Sequence, residues 1–281
     1  MIEKRRRARN LGRSACVALA LSATWGIAST TQAQAAAPDW ADIEGRIQYA
    51  YYTNDARALG SVLTALKAKP ADGEEGAAEA DLSTRSYFRA LAQYRLAQVL
   101  VTTKKGQAKD AIDECHDEVD AAVESLPKVP IGLDESDAAR HQRAESYALA
   151  TACTLAGREM SSIPFGGGRI GSRIDEAVLL EPKNPRVRLV EALALFERAG
   201  KDVNEKAAAL TKLRTATQMF EQARAGASTI PEWGAAEAYA FLGRARFDQR
   251  DVVGAREALE RSLLIAPDYA FARRLMGQIT R

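Results

Sequence analysis

Apolar positions along this chain recur every three to four residues almost from end to end, with polar and charged residues between them. That is the period of an amphipathic helix, and the strict alternation of a half-buried strand is nearly absent. The pattern breaks where proline, glycine and short acidic turns fall. It predicts helices over 41–53, 55–68, 84–103, 107–126, 138–160, 169–181, 185–199, 204–225, 233–248, 251–265 and 268–279. The two longest connections are Pro70–Ser83, rich in glycine and glutamate, and Pro127–Asp137, with two prolines. Both read as solvated loops between helices rather than as domain boundaries.

Self-similarity lies on top of the helical period. The clearest unit is Trp233–Pro267, which contains Tyr239-x-x-Leu242-Gly243, then Ala255-x-x-x-Leu259-x-x-Ser262, then Pro267. Small residues at Gly243 and Ala255 suit a close crossing of two helices, with Leu242 and Leu259 filling the space beside it. Asp251 is placed to cap the second helix, and Pro267 cannot continue it, so the next helix is expected to start there. Fainter copies are Asn54-x-x-x-Ala58-x-x-x-Val62-x-x-Ala65-x-x-x-x-Pro70, Gly106-x-x-x-x-Ala111, Ala156-Gly157-Arg158 and Ile174-x-x-Ala177-x-x-x-x-Pro182. This spacing resembles the tetratricopeptide pattern of helix pairs. The resemblance is specific at 233–267 and architectural over most of 40–281, and the helices between 185 and 225 depart from it. It implies an all-α solenoid of antiparallel helix pairs with an irregular middle. The last helix, polar at Arg273, Arg274 and Gln278, would be the solubilising cap.

The first forty residues are of another kind. Lys4, Arg5, Arg6, Arg7, Arg9 and Arg13 precede an apolar run from Ser14 to Ala28, and then a small polar stretch containing Ala33-Gln34-Ala35. Basic region, short apolar region and small-x-small site together describe a secretory signal peptide over 1–35, leaving 36–281 as the helical repeat domain. Export to the periplasm is the expectation. An uncleaved inner-membrane anchor is the alternative, because Trp25 and Ile27 lengthen the apolar run. Arg6-Arg7 leaves Sec and twin-arginine export both open. Cleavage would remove six basic residues and one acidic one, so 39 basic and 37 acidic residues become 33 and 36 and the net charge moves from +2 to −3. A nucleic-acid binder needs a basic footprint, and the apparent one leaves with the leader.

Chemistry-bearing motifs are few. Gly166-Gly167-Gly168-Arg169-Ile170-Gly171 satisfies G-x-G-x-x-G in letters. A helix rather than a strand precedes it, so it reads as an inter-helix loop with Phe165 as an exposed anchor. Asp113, His116, Asp117 and Asp120 share one helical face and could hold a divalent ion, but one helix rarely closes a coordination sphere, so a solvated acidic face is expected and no metal site. The sequence contains no H-E-x-x-H, no G-x-S-x-G and no paired-cysteine motif. Neither a catalytic residue nor a cofactor is therefore assigned. Cys115 and Cys153 each sit on the apolar stripe of their helix. Two readings stand for them, a disulfide in an oxidising compartment and two buried thiols acting as small hydrophobes.

The resemblance also implies that the first helix of each pair lines a concave, peptide-recognising face. In the clear unit that face would include Glu237, Ala240, Arg244, Phe247 and Asp248, with Arg158 occupying the place of Arg244 in an earlier unit. Two arginines along one groove could grip a carboxylate or an acidic peptide; ordinary solvated arginines are the competing reading. The expected function is a periplasmic protein–protein scaffold whose partner is a protein or peptide of the cell envelope. The alternative is a small-ligand-binding or transporter-associated helical protein, which a closed pocket lined by Tyr49, Tyr51, Tyr52, Tyr87 and Tyr94 would favour.

Overall fold

The computed structural model describes residues 39–67, 78–128, 134–160, 168–224 and 232–280. The signal peptide expected over 1–35 lies outside them, as do Phe165 and the first two glycines of the G-x-G-x-x-G stretch. Residues Ala37–Arg281 pack as one unit. Among the described residues there are eleven helices and no strand: α1 (Trp40–Tyr52), α2 (Ala56–Lys67), α3 (Ala78–Leu100), α4 (Lys105–Glu124), α5 (Asp137–Met160), α6 (Gly168–Leu180), α7 (Pro185–Ala199), α8 (Val203–Arg224), α9 (Ala235–Asp248), α10 (Val252–Ile265) and α11 (Ala270–Ile279). None of them is long and apolar enough to cross a membrane.

Consecutive helices pack as pairs, α1 with α2 through α9 with α10, and the second helix of each pair also packs on the first of the next. Three-residue connections at 53–55, 200–202 and 249–251 force the antiparallel return. Each ends in an aspartate that caps the following helix. Asp55 accepts from the Arg57 and Ala58 amides, Asp202 from Asn204 and Glu205, and Asp251 from Gly254. Such a cap contributes about 1 kcal/mol. Pair-internal packing is apolar, through residues such as Leu59, Leu63 and Leu66 of α2, Leu189 of α7, Leu213 of α8 and Leu259 of α10.

The expected steric rule holds strongly at one crossing. A Cβ on Gly243 would lie 2.7 Å from Leu259 Cγ and 3.1 Å from the Ala255 carbonyl oxygen. Replacing Gly243 with alanine is therefore expected to cost about 1–3 kcal/mol of overpacking; an unchanged urea midpoint would show that the pair relaxes freely. At Gly157 the same atom would meet only Ile112 at an ordinary 3.5 Å, and at Gly106 nothing within 4 Å. The tight-crossing signature thus belongs to 233–267, and the fainter copies share the architecture without the close approach.

The largest departure from the expected boundaries is at α3, which starts at Ala78 rather than 84, and its added turn is anchored where Ser83 Oγ donates to the Ala122 carbonyl of α4. Pro267 ends α10 but does not open α11: residues 267–268 form a turn and Tyr269 is the N-cap residue. Tyr269 is 1 % exposed, drawn inward by contacts described below.

Candidate functional site

The inward face of α1 carries Glu44, Gln48, Tyr51 and Tyr52, at i, i+4, i+7 and i+8. All four are buried. Besides packing on α2 and α3, this face meets the N-terminal ends of three much later helices. Glu44 Oε1 accepts from Arg186 Nη2 of α7 at 2.8 Å and from the Trp233 amide at 2.9 Å. Tyr52 Oη donates to Glu237 Oε2 of α9 at 3.0 Å, and the Tyr51 and Tyr269 hydroxyls lie 2.9 Å apart. These contacts join residues 142 to 218 positions apart in sequence.

Two polar clusters result, about 12 Å apart along α1, the length of eight helical residues. In the first, Arg186 bridges Glu44 and Glu145, while Asn184 caps α7 and donates to Glu145 Oε1 at 3.0 Å. Trp233 Nε1 donates to the Tyr87 hydroxyl, which donates in turn to Glu145 Oε2 at 2.7 Å. In the second, the Arg95 guanidinium pairs with Glu237, which also accepts from the Gly234 amide, and Arg95 donates to Gln98. Trp233 stands between the clusters. The Arg95 and Arg186 guanidiniums lie 5.8 and 5.3 Å from its ring centroid, and Arg95 also lies 4.2 Å from that of Tyr51. Carboxylates at the N-terminal ends of α7 and α9 also suit the positive ends of those helix dipoles.

Burial governs the ionisation of these groups. It raises the Tyr52, Tyr87 and Tyr269 phenols well above their usual range, so all three stay protonated. The two carboxylates on Arg186 diverge. Burial raises Glu44, with Arg186 and the Trp233 amide opposing it. Burial also pushes Glu145 upward, but Arg186, His141, Asn184 and Tyr87 outweigh it and hold that carboxyl below its usual value. The stability contributions have opposite sign. That of Glu145 is present above about 4.5 and lost as pH falls through its lowered folded value. That of Glu44 is complete below about 4.5 and lost as pH rises through its raised one. Urea unfolding across pH 3–8 should therefore show the stability difference between the unaltered protein and Glu145→Gln growing with pH. The difference from Glu44→Gln should shrink, and parallel curves would refute the divergence.

The predicted partner-binding residues separate. Glu237 is not partner-facing: it is 2 % exposed, and its carboxylate is taken by Arg95, Tyr52 and Gly234. Arg244 lies two turns along the same face of α9, half-buried and without an ion pair among the described residues, beside half-buried Phe247 and exposed Asp248. Arg158, on α5, edges a recess of about 130 Å³ lined also by Ile174, Asp175, Glu191, Arg198 and Lys212. No described contact brings Arg158 to Arg244. The acidic face of α4 is distributed among neighbours: Asp113 takes Lys109, Asp120 takes Arg173 at 2.8 Å, and His116 Nε2 sits 3.5 Å from Thr154 Oγ1. Among the described residues no three metal-ligating side chains gather. The last glycines of the G-x-G-x-x-G stretch, Gly168 and Gly171, belong to the first turn of α6. The Cys115 and Cys153 sulfurs meet across α4 and α5 at bonding distance, with Cα atoms 6.5 Å apart.

The consecutive pairing of its helices defines a helix-pair repeat fold. No family model matches the sequence, and no curated protein does. Among solved structures the chain is similar to YrrB, described as a TPR protein with an unusual peptide-binding site. The identity is 16 % and the TM-score 0.36, over 84 % of this chain and 97 % of that one.

Proposed function

We propose that the protein is a scaffold of the cell envelope that binds a partner protein or peptide on the inward face of its helix pairs, and that it is not an enzyme. The observation carrying this reading is the division of α9. Its first half is consumed by internal pairing at Glu237, while its second half offers Arg244, Phe247 and Asp248 with no internal ion pair on the arginine among the described residues. An uncompensated guanidinium beside an aromatic ring suits an acidic, partly apolar peptide. The reading as a small-ligand binder draws no support from the tyrosines. The hydroxyls of Tyr51, Tyr52, Tyr87 and Tyr94 are engaged with Tyr269, Glu237, Glu145 and Gln98. The test is cross-linking in intact cells followed by mass spectrometry. A specific polypeptide should be captured by the unaltered protein and lost with Arg158→Ala and Arg244→Ala together; undiminished capture by the double variant would sink the site.

Periplasmic residence is part of the same proposal, and the cysteine pair gives it a direct chemical assay. An oxidising compartment would keep Cys115 and Cys153 bridged, closing a loop of 38 residues and stabilising the fold by about 4 kcal/mol in the chain-entropy account. Protein purified from the periplasm without reductant should show no alkylatable thiol at these positions. Two alkylated thiols would contradict the bridge.

A further inference from the structure

Where the second helices of successive pairs run side by side, the first helix of the later pair floors a groove between them. α2 and α4 flank a groove of about 470 Å³ over α3, α6 and α8 one of about 130 Å³ over α7, and α8 and α10 one of about 470 Å³ over α9. The grooves differ in how their charges are met. In the first, Lys67 and Glu114 pair across the gap at 3.7 Å, and in the second Lys212 of one wall reaches Glu191 of the floor at 2.6 Å. Each of these two is also lined by an exposed carboxylate with no ion pair among the described residues, Asp110 in the first and Asp175 in the second. In the last groove no described ion pair joins α8 to α9 or α10. Its carboxylates are engaged: Glu221 accepts from the Tyr239 hydroxyl, Glu257 lies 3.9 Å from Arg246, and Glu260 takes Arg256 at 2.8 Å. Arg214 on one wall and Arg261 on the other are exposed and unpaired among the described residues. This groove also runs on into an apolar recess of about 360 Å³, which shares Tyr239, Arg261 and Leu264 with it and adds Phe220, Ala235 and Ile265. Leu264, at the junction, is 75 % exposed. A lone exposed leucine says little, but this one stands between two unmatched guanidiniums and an apolar recess.

We propose that the groove between α8 and α10 is a second binding site, and that it takes a peptide segment in which acidic residues are followed by large apolar ones. The carboxylates lie between Arg214 and Arg261, where guanidiniums can grip them bidentately. The apolar side chains pack on Leu264 and enter the recess beside Phe220. Arg214, Gln218, Arg261 and Leu264 are all exposed at the rim, so the groove does not enclose a compact solute and suits a chain that passes along it. Tyr239, Leu242 and Arg246 face the groove from one side of α9, and Arg244 and Asp248 lie on the opposite side of that helix. The site shares no residue with the Arg158 and Arg244 surface of the scaffold reading, so either can fail alone.

The probe is a random-peptide phage library selected on the full chain, with the enriched sequences synthesised, labelled and titrated by fluorescence anisotropy. Peptides that place leucine, isoleucine or phenylalanine after aspartate or glutamate should be enriched. Arg214→Glu with Arg261→Glu alters two exposed side chains, and should weaken binding of these peptides by roughly tenfold or more with an unchanged circular dichroism spectrum. Arg214→Gln with Arg261→Gln serves if the charge-reversed chain is unfolded. Leu264→Ser should weaken the same peptides with the charges intact, and Arg244→Ala should leave them unaffected. Enrichment of peptides without acids, equal binding to the charge-altered chain, or loss of binding with Arg244→Ala overturns the proposal. Self-association of the unaltered chain that the two arginine substitutions abolish also overturns it, by making the occupant a second copy of this chain.

Discussion

Trp233→Ala is expected to lower stability by about 3–5 kcal/mol, the range for deleting a fully buried large aromatic. For a unit of this length that corresponds to a fall of roughly 10–15 °C in the unfolding midpoint. Trp233 is 2 % exposed and is not an ordinary core residue. Its indole N–H reaches the Tyr87 hydroxyl, its amide reaches Glu44, and both buried arginines lie beside its ring. Alanine keeps the amide contact and loses the other three. Trp233→Phe separates the contributions, since it retains most of the volume and forfeits the N–H and part of the ring's attraction for cations, at about 1–2 kcal/mol. Thermal unfolding followed by circular dichroism reads both. A loss below ~1 kcal/mol for the alanine variant would mean that the two clusters do not depend on the residue between them.

Breaking the Arg95–Glu237 pair should be of comparable size and different in kind. The side chains are 2 % and 3 % exposed, so solvent screening does little for the survivor when one is removed. Arg95→Met leaves Glu237 buried without its cation, and Glu237→Leu leaves the guanidinium without its acid; each is expected to cost about 3–5 kcal/mol. The double variant Arg95→Met with Glu237→Leu should recover much of that loss, because replacing both partners of a buried pair with apolar side chains is often neutral. Urea unfolding of the four proteins in a double-mutant cycle measures the coupling. Additive losses would show that the two charges are stabilised separately, Glu237 by Tyr52 and the Gly234 amide and Arg95 by Gln98 and the surrounding rings.

The position of Glu237 carries the wider lesson. On α9 it occupies the same face as Arg244 and Asp248, and a periodicity reading assigns all three one role. The structure divides them because α1 covers only the N-terminal end of that face. The signal available in sequence was the uneven composition of α1, whose single face collects Glu44, Gln48, Tyr51 and Tyr52 rather than leucines. A 13-residue helix with so polar an inward face could bury it only against complementary polar groups.

Local chemistry in the chain determined the helices and their pairing. Apolar period, aspartate caps and short turns act over a few residues, so eleven helices, the Asp251 cap and the Gly243 crossing were legible from spacing alone. The facing stripes that hold Cys115 and Cys153 were legible too, because consecutive helices must pack somewhere. Tertiary structure alone decided which polar residues are interior. Glu44, Arg95, Glu145, Arg186 and Glu237 look solvent-facing in any local window, since a charge is stable in water and costly inside. Only contacts between helices that are not neighbours in the chain, Arg95 with Glu237, Arg186 with Glu145 and Glu44, and Tyr52 with Glu237, supply the counter-charges and donors that make their burial possible.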